Sequence, residues 1–338
     1  MALIVAPKGS VCAATFTKSL LKAACIDISS SRLEAKNGYV RAILINSGHA
    51  NACTGSRGEI DSLLITDALA HRLSLDPNEV LICSTGVIGV PIPVDNVLKN
   101  IDFLVKSLNE DGGHAAAQAI LTTDLVDKQI AIEANLDGQK VRIGGMAKGS
   151  GMISPNMGTM LAYITCDALI AGDLWSKIVS RVVDASFNCV TVDGDTSTND
   201  AFFAFSSGEP INETFLHVIE EGMLKVSKYL AKSIARDGEG SNCLMEIKVL
   251  GTQTNHDAKK IAQVICNSLL VKTAVHGCDP NWGRILAAAG RADIKFNLNQ
   301  ISLWIGPYQL LDKGITLNFD KDLISLYMKE RMHGSYMK

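Results

Sequence analysis

The chain has 338 residues, room for one large or two ordinary domains, and 47% of them are hydrophobic, enough to bury a substantial core. Only 5% are aromatic, so that core is expected to rest on Leu, Ile, Val and Ala. A formal net charge of -3 without any Lys/Arg run excludes an electrostatic nucleic-acid groove and favours small-molecule partners.

Taken in order, the opening MALIVAPKGS lacks the basic flank and long apolar stretch of a secretory signal. Other apolar runs are short and broken by polar residues, so no membrane span is expected and the predicted location is the cytoplasm. Tyr39 to Ile45 reads as a strand leading into the segment NSGHANACTG. A helix follows, with Ile60, Leu63, Leu64 and Ala68 on its apolar face and Pro77 beyond its end. Gln129 to Ile143 alternates around Asp137-Gly138, which predicts a hairpin. Gly144 to Leu161 contains five glycines and Pro155 and is expected to be irregular.

The second half opens on a helix with Leu174, Ile178 and Val182 on one face, then a short strand at Val190 to Val192. A long helix over Glu213 to Ala235 carries the stripe Ile219, Met223, Val226, Leu230 and Ile234. Cys243 to Leu250 reads as a strand and Asp257 to Leu269 as a helix; ISLWIG and GITLNF read as strands, and Lys321 to Arg331 as a final helix. The fold class is α/β or α+β.

Most familiar chemistry is missing. Lys148-Gly149-Ser150 reverses the order of a phosphate-binding loop, and no GxGxxG opens a helix after a strand. The histidines form no HxH, HxxxH or HExxH. Asp193, Asp195, Thr196 and Thr198 follow a strand pattern but do not complete an EF-hand, so a hydrogen-bonded polar turn is the better reading. Nine cysteines without a CxxC, and odd in number, indicate neither zinc nor a disulfide framework; buried free thiols in a reducing compartment are expected.

Gly144 to Leu161 is the exception. Pro155 pushes Ser154 toward extended geometry, and Gly158 permits backbone conformations other residues resist. Such a place suits a strained bond awaiting attack by the next hydroxyl, that of Thr159. Cleavage there creates an N-terminal threonine whose α-amine, titrating near roughly 7.7–8.0, serves as general base for its own hydroxyl. By composition alone the same stretch is a glycine-rich surface loop.

The string GGMAKGSGMISPNMGTMLAYITCDA, Gly144 to Ala168, resembles the self-cleavage region of the ornithine acetyltransferase family, the bifunctional glutamate N-acetyltransferases. INSGHANACTG, CSTGVIG, LTTD, VTVDGDTSTND, ARDGEG and LVKTAVHGCDPNWGRILAAAGR match further blocks in the family's order. The resemblance implies a two-part sandwich of mixed sheets and helices, the self-cleaving N-terminal-nucleophile type similar to the DmpA and ornithine acetyltransferase fold. It implies an α chain of residues 1–158 and a β chain of residues 159–338, cut between Gly158 and Thr159 and associated as an α2β2 heterotetramer. Thr159 is then the nucleophile that takes acetyl from N-acetylornithine and passes it to glutamate. Thr85 and Gly86 match the oxyanion hole, and Thr122, Lys148 and Glu239 match substrate contacts. No metal or organic cofactor is implied; whether acetyl-CoA is a further acetyl donor is left open by the sequence.

Three departures accompany the match. Gly158 stands where the family usually has alanine, and Cys278 where a polar residue is more frequent. Relative to the family the chain begins late and stops early, and His333, Ser335 and Lys338 do not reproduce the family's substrate-contacting Asn and Thr or Ser ending. Two alternatives follow. One is an amidase or peptidase whose acyl-enzyme goes to water; the other is an inactive remnant.

Overall fold

The computed structural model describes residues 1–154 and 160–333. The chain forms two compact units, Met1–Glu239 and Gly240–Lys338. The first begins with β1 (Ala2–Val5), β2 (Val11–Phe16), α1 (Ala24–Ala35), β3 (Ala42–His49) and α2 (Gly55–Leu73). It continues through β4 (Val80–Val87), α3 (Val94–Lys106), α4 (Gly113–Ala119), β5 (Lys128–Leu136), β6 (Gln139–Lys148) and β7 (Leu161–Leu169). It closes with α5 (Gly172–Asp184), β8 (Ala201–Pro210) and α6 (Leu216–Arg236).

Two sheets result, one ordered β1-β3-β4 and one ordered β2-β8-β7-β6-β5. β3 and β4 run parallel, with α2 between them in the chain. β7 and β8 are also parallel and are joined through α5, since strands pointing the same way need a crossover of this length. β7 is therefore a central strand, flanked by β6 and β8. Its period-2 alternation serves two cores. Ala162, Ile164, Cys166 and Ala168 belong to the cluster with α5 and α6; Leu161 and Tyr163 belong to the cluster with β3, β4, α1 and α2.

Several expectations hold. Asp137 and Gly138 both have positive φ, 50° and 94°, as a two-residue hairpin turn demands, and β5 and β6 pair around them. Ile219, Met223, Val226, Leu230 and Ile234 line the buried face of α6. The Asp193 carboxylate accepts N–H groups from Met152, Ile153 and Asp195, the polar turn expected of that block.

Others need correction. The apolar face assigned to α2 is rotated by about one residue from the buried one: Ile60 and Leu64 are exposed, while Asp61, Ser62, Ile65, Thr66 and Leu69 are buried. The reason is that the buried hydroxyls bond back to the preceding turn, Ser62 Oγ to Gly58 O and Thr66 Oγ1 to Ser62 O. Gly144 to Lys148 is strand rather than irregular, with Gly144 to Ala147 paired to both β5 and β7 and Lys148 paired to β7. Val190 to Val192 forms no strand; Val192 N–H reaches Ile153 O at 2.8 Å without a ladder. Cys12, Cys25, Cys83 and Cys166 are buried free thiols as expected, but Cys53 and Cys189 are exposed.

The second unit holds α7 (Asn255–Cys266), α8 (Leu269–His276) and α9 (Trp282–Ala289), then β9 (Leu303–Ile305), β10 (Tyr308–Asp312), β11 (Ile315–Thr316) and α10 (Lys321–His333). ISLWIG and GITLNF do supply strands, but β10 between them, absent from the sequence reading, is the strand that joins both. Cys243 to Leu250 is not a strand: Met245, Ile247 and Val249 pack alternately on the helical core without a ladder partner among the described residues.

The α2 geometry yields a direct test. Ile65→Ala is expected to lower unfolding free energy by about 2–5 kcal/mol, whereas Ile60→Ala changes it by under about 0.5 kcal/mol. A larger loss for Ile60→Ala than for Ile65→Ala in urea titrations would place the buried face where the sequence pattern put it.

Candidate active site

Three segments distant in sequence converge on one ammonium group. β6 ends at Lys148, whose backbone lies opposite Leu161 at the start of β7. Lys148 is 5% exposed. Nζ lies 2.7 Å from Thr122 Oγ1 and 3.2 Å from Thr85 Oγ1. Thr85 is buried near the end of β4, and Thr122 follows α4. Gly86, next to Thr85, has φ +127°, and a Cβ there would collide with the backbone of Gly48 on β3. Only glycine fits that crossing.

Behind Lys148 sits a buried ionic frame. Asp124 Oδ2 is 3.9 Å from Lys148 Nζ, and its other oxygen takes Lys128 Nζ at 2.7 Å and the Gly149 N–H at 2.6 Å. Lys128, on β5, has a fully buried side chain and also binds Asp237 Oδ2 at 2.6 Å. Asp237 accepts the Leu125 N–H as well. Two lysines and two aspartates thus balance in charge, which is how a low-dielectric interior retains ions. Burial would raise the Asp124 pKa, but Lys128 and Lys148 outweigh it and hold it below the usual carboxylate range. Burial lowers the Lys148 pKa, opposed chiefly by Asp124.

Glu239 joins from the end of α6. Its N–H donates to Ser150 O at 2.9 Å, and Ser150 Oγ donates to Asp237 O at 2.6 Å. Its carboxylate lies over Gly151, where any Cβ would strike it. The side chain itself is exposed. Thr85, Gly86, Thr122, Lys148 and Glu239 therefore gather around the end of β6. Gly158 and Thr159 lie outside the described residues.

Sequence reasoning missed the supports of this cluster. Asp124 and Asp237 lie within the quoted blocks LTTD and ARDGEG, so their signal was present but unused; Lys128 lies in none. Asn199 and Asp200 close the block read as a polar turn. Asn199 Nδ2 donates to Ala50 O and Ser84 O, tying the loop to the strand that bears Thr85. Asp200 Oδ1 accepts the N–H of Met160 at 3.0 Å. Burial pushes the Asp200 carboxyl well above the usual range, against the hydrogen bonds of Met160 and Ser197 and the charge of Lys148.

A mixed α/β unit that brings paired hydroxyls to a charge-balanced lysine offers the kind of hydrogen-bond donors that can stabilise a carbonyl oxygen gaining charge. The ArgJ family model matches residues 1–334, and the chain belongs to that family. It is 56% identical over its full length to the arginine biosynthesis bifunctional protein ArgJ of Prochlorococcus marinus strain NATL2A, covering 80% of that protein. The relative from strain MIT 9313 is also 56% identical, with 79% of it covered. Among solved structures, the ornithine acetyltransferase of Mycobacterium tuberculosis complexed with ornithine matches at 37% identity and a TM-score of 0.42, over 45% of this chain and 81% of that one.

The raised Asp200 pKa has a signed consequence. An acid whose folded pKa is raised favours folding below its unfolded value, about 3.9, and loses that advantage as pH rises toward the folded pKa. Asp200→Asn, which keeps an oxygen for Met160, should raise the melting temperature at pH 7, with the gain vanishing below about pH 4. A gain independent of pH would contradict the assignment.

Proposed function

We infer that this chain is an acetyltransferase of arginine biosynthesis that cuts itself between Gly158 and Thr159 and carries acetyl on Thr159. The observation that carries the reading is family membership over residues 1–334, joined to the Thr85–Lys148–Thr122 cluster at the end of β6. Relatives are named as arginine biosynthesis proteins, which disfavours both the hydrolase and the inactive remnant.

In self-cleavage the Thr159 hydroxyl oxygen attacks the Gly158 carbonyl carbon, and the C–N bond breaks. The hydroxyl proton ends on the departing nitrogen, leaving an ester. Water opens that ester to a Gly158 carboxylate and a free Thr159 hydroxyl with an α-amine beside it. In turnover, the amine accepts the hydroxyl proton as oxygen attacks the acetamide carbon of N-acetylornithine, then delivers it to the leaving ornithine nitrogen. The amine of glutamate attacks the acetyl ester, and the threonine regains its proton. Thr85 and Gly86 stabilise each tetrahedral oxyanion.

Lys148 and Glu239 read the charges of the substrate, a carboxylate and an ammonium respectively. Thr122 helps hold the substrate-binding end of β6 through its contact with Lys148. Acetyl-CoA serves as a second donor to the same hydroxyl, and the chemistry requires neither a metal nor an organic cofactor. The processed fragments, 1–158 and 159–338, assemble as a cytoplasmic α2β2 heterotetramer in this reading. Among the described residues no helix is long and apolar enough to cross a membrane.

Acetyl transfer from N-acetylornithine to glutamate, followed by chromatography of the products, tests the proposal. Wild-type protein is expected to form N-acetylglutamate, and Thr159→Ala to form none and remain one chain. Thr85→Ala should slow both cleavage and transfer, by on the order of 10²–10³ in rate. A fully active, uncleaved Thr159→Ala protein, or an unaffected Thr85→Ala protein, would remove these residues from the mechanism.

A further inference from the structure

A lysine ammonium has three donors and no acceptor, so at the 3.2 Å contact Thr85 Oγ1 must be the accepting atom. The hydroxyl proton of Thr85 is thereby directed away from Lys148. Among the described residues the one hydrogen bond at that hydroxyl is the one it accepts from Lys148, which leaves its proton for an oxygen entering the site. Lys148 has little freedom to do otherwise. It is 5% exposed, held by Thr122 at 2.7 Å and accompanied by Asp124 at 3.9 Å. A hydroxyl that accepts from a cation in a low-dielectric setting becomes the stronger donor, because successive hydrogen bonds polarise one another.

We propose that Lys148 is a positioning residue for the oxyanion hole, orienting and polarising the Thr85 hydroxyl in every step that builds charge on a carbonyl oxygen. The proposal rests on the reading of Thr85 as an oxyanion donor. It goes beyond a substrate-contacting lysine in one decisive respect. Self-cleavage proceeds without an amino-acid substrate, so a lysine that only binds substrate carboxylate has no part in it, whereas a lysine acting through Thr85 does.

The test is a time course of self-cleavage in freshly translated full-length chain, read by intact mass, for wild type, Lys148→Met, Thr85→Val and the double variant. Lys148→Met is expected to slow cleavage by on the order of tenfold, as loss of a charge-assisted hydrogen bond does. Thr85→Val should slow it further, and the double variant should be no slower than Thr85→Val alone, because Lys148 then has no hydroxyl to act on. Lys148→Gln, which retains a neutral donor, should fall between wild type and Lys148→Met and guards against a variant that simply misfolds. Cleavage of Lys148→Met at the wild-type rate overturns the proposal while leaving the proposed function intact. Multiplication of the two single effects in the double variant also overturns it, since that is the signature of general structural damage. Thr159→Ala run alongside separates the two levels: if it still splits, the nucleophile reading fails first and the role of Lys148 with it.

Discussion

The site depends on keeping one ammonium group out of water. Lys148 is buried where its charge would be prohibitive alone, and Asp124 makes the burial tolerable by standing close to it while anchoring Lys128 and the Gly149 N–H. Lys128 in turn is shared with Asp237, at the end of α6. Removing any one member leaves an uncompensated charge in the interior, so the four ions form a unit rather than independent pairs. Through this unit the loop before β5, the end of β6 and the end of α6 are fixed with respect to one another, and the candidate site is assembled where they meet.

The sheet supplies the other half of the arrangement. Lys148 and Leu161 face each other across β6 and β7, so the last residue of one strand is set beside the first residue of the next. The loop that ends at Asp200 then secures both sides. Asn199 grips Ser84, one residue before Thr85, while Asp200 holds Met160, one residue after the candidate nucleophile. Adjacent side chains on one loop thereby link β4, which bears Thr85, to the residue just before β7. Because β7 lies in the interior of a five-stranded sheet, the hydrogen bonds of β6 and β8 retain its start whether or not the chain is cut before it.

Local patterns in the sequence carried the elements whose determinants are local. Asp137-Gly138 announces its hairpin because positive φ is needed at both positions, and the α6 stripe announces its buried face because every member is apolar. The buried face of α2 was obscured by Ser62 and Thr66, which are polar by type but satisfied by the helix itself. Cys243 to Leu250 alternates like a strand, but alternation reports one covered face and says nothing about a ladder partner. At the site, Thr85, Gly86, Thr122, Lys148 and Glu239 were legible only through resemblance, since none belongs to a general catalytic motif. Lys128 was not legible at all. A lysine reads as surface, and the Asp237 that makes its burial possible lies 109 positions away.

The most direct measurement is the intact mass of purified protein after brief exposure to N-acetylornithine without glutamate. The account predicts two polypeptides divided between Gly158 and Thr159, with the fragment that begins at Thr159 heavier by one acetyl group and returned to its original mass when glutamate is added. A single uncut chain that gains no acetyl, or an acetyl group located on the fragment that ends at Gly158, would contradict it.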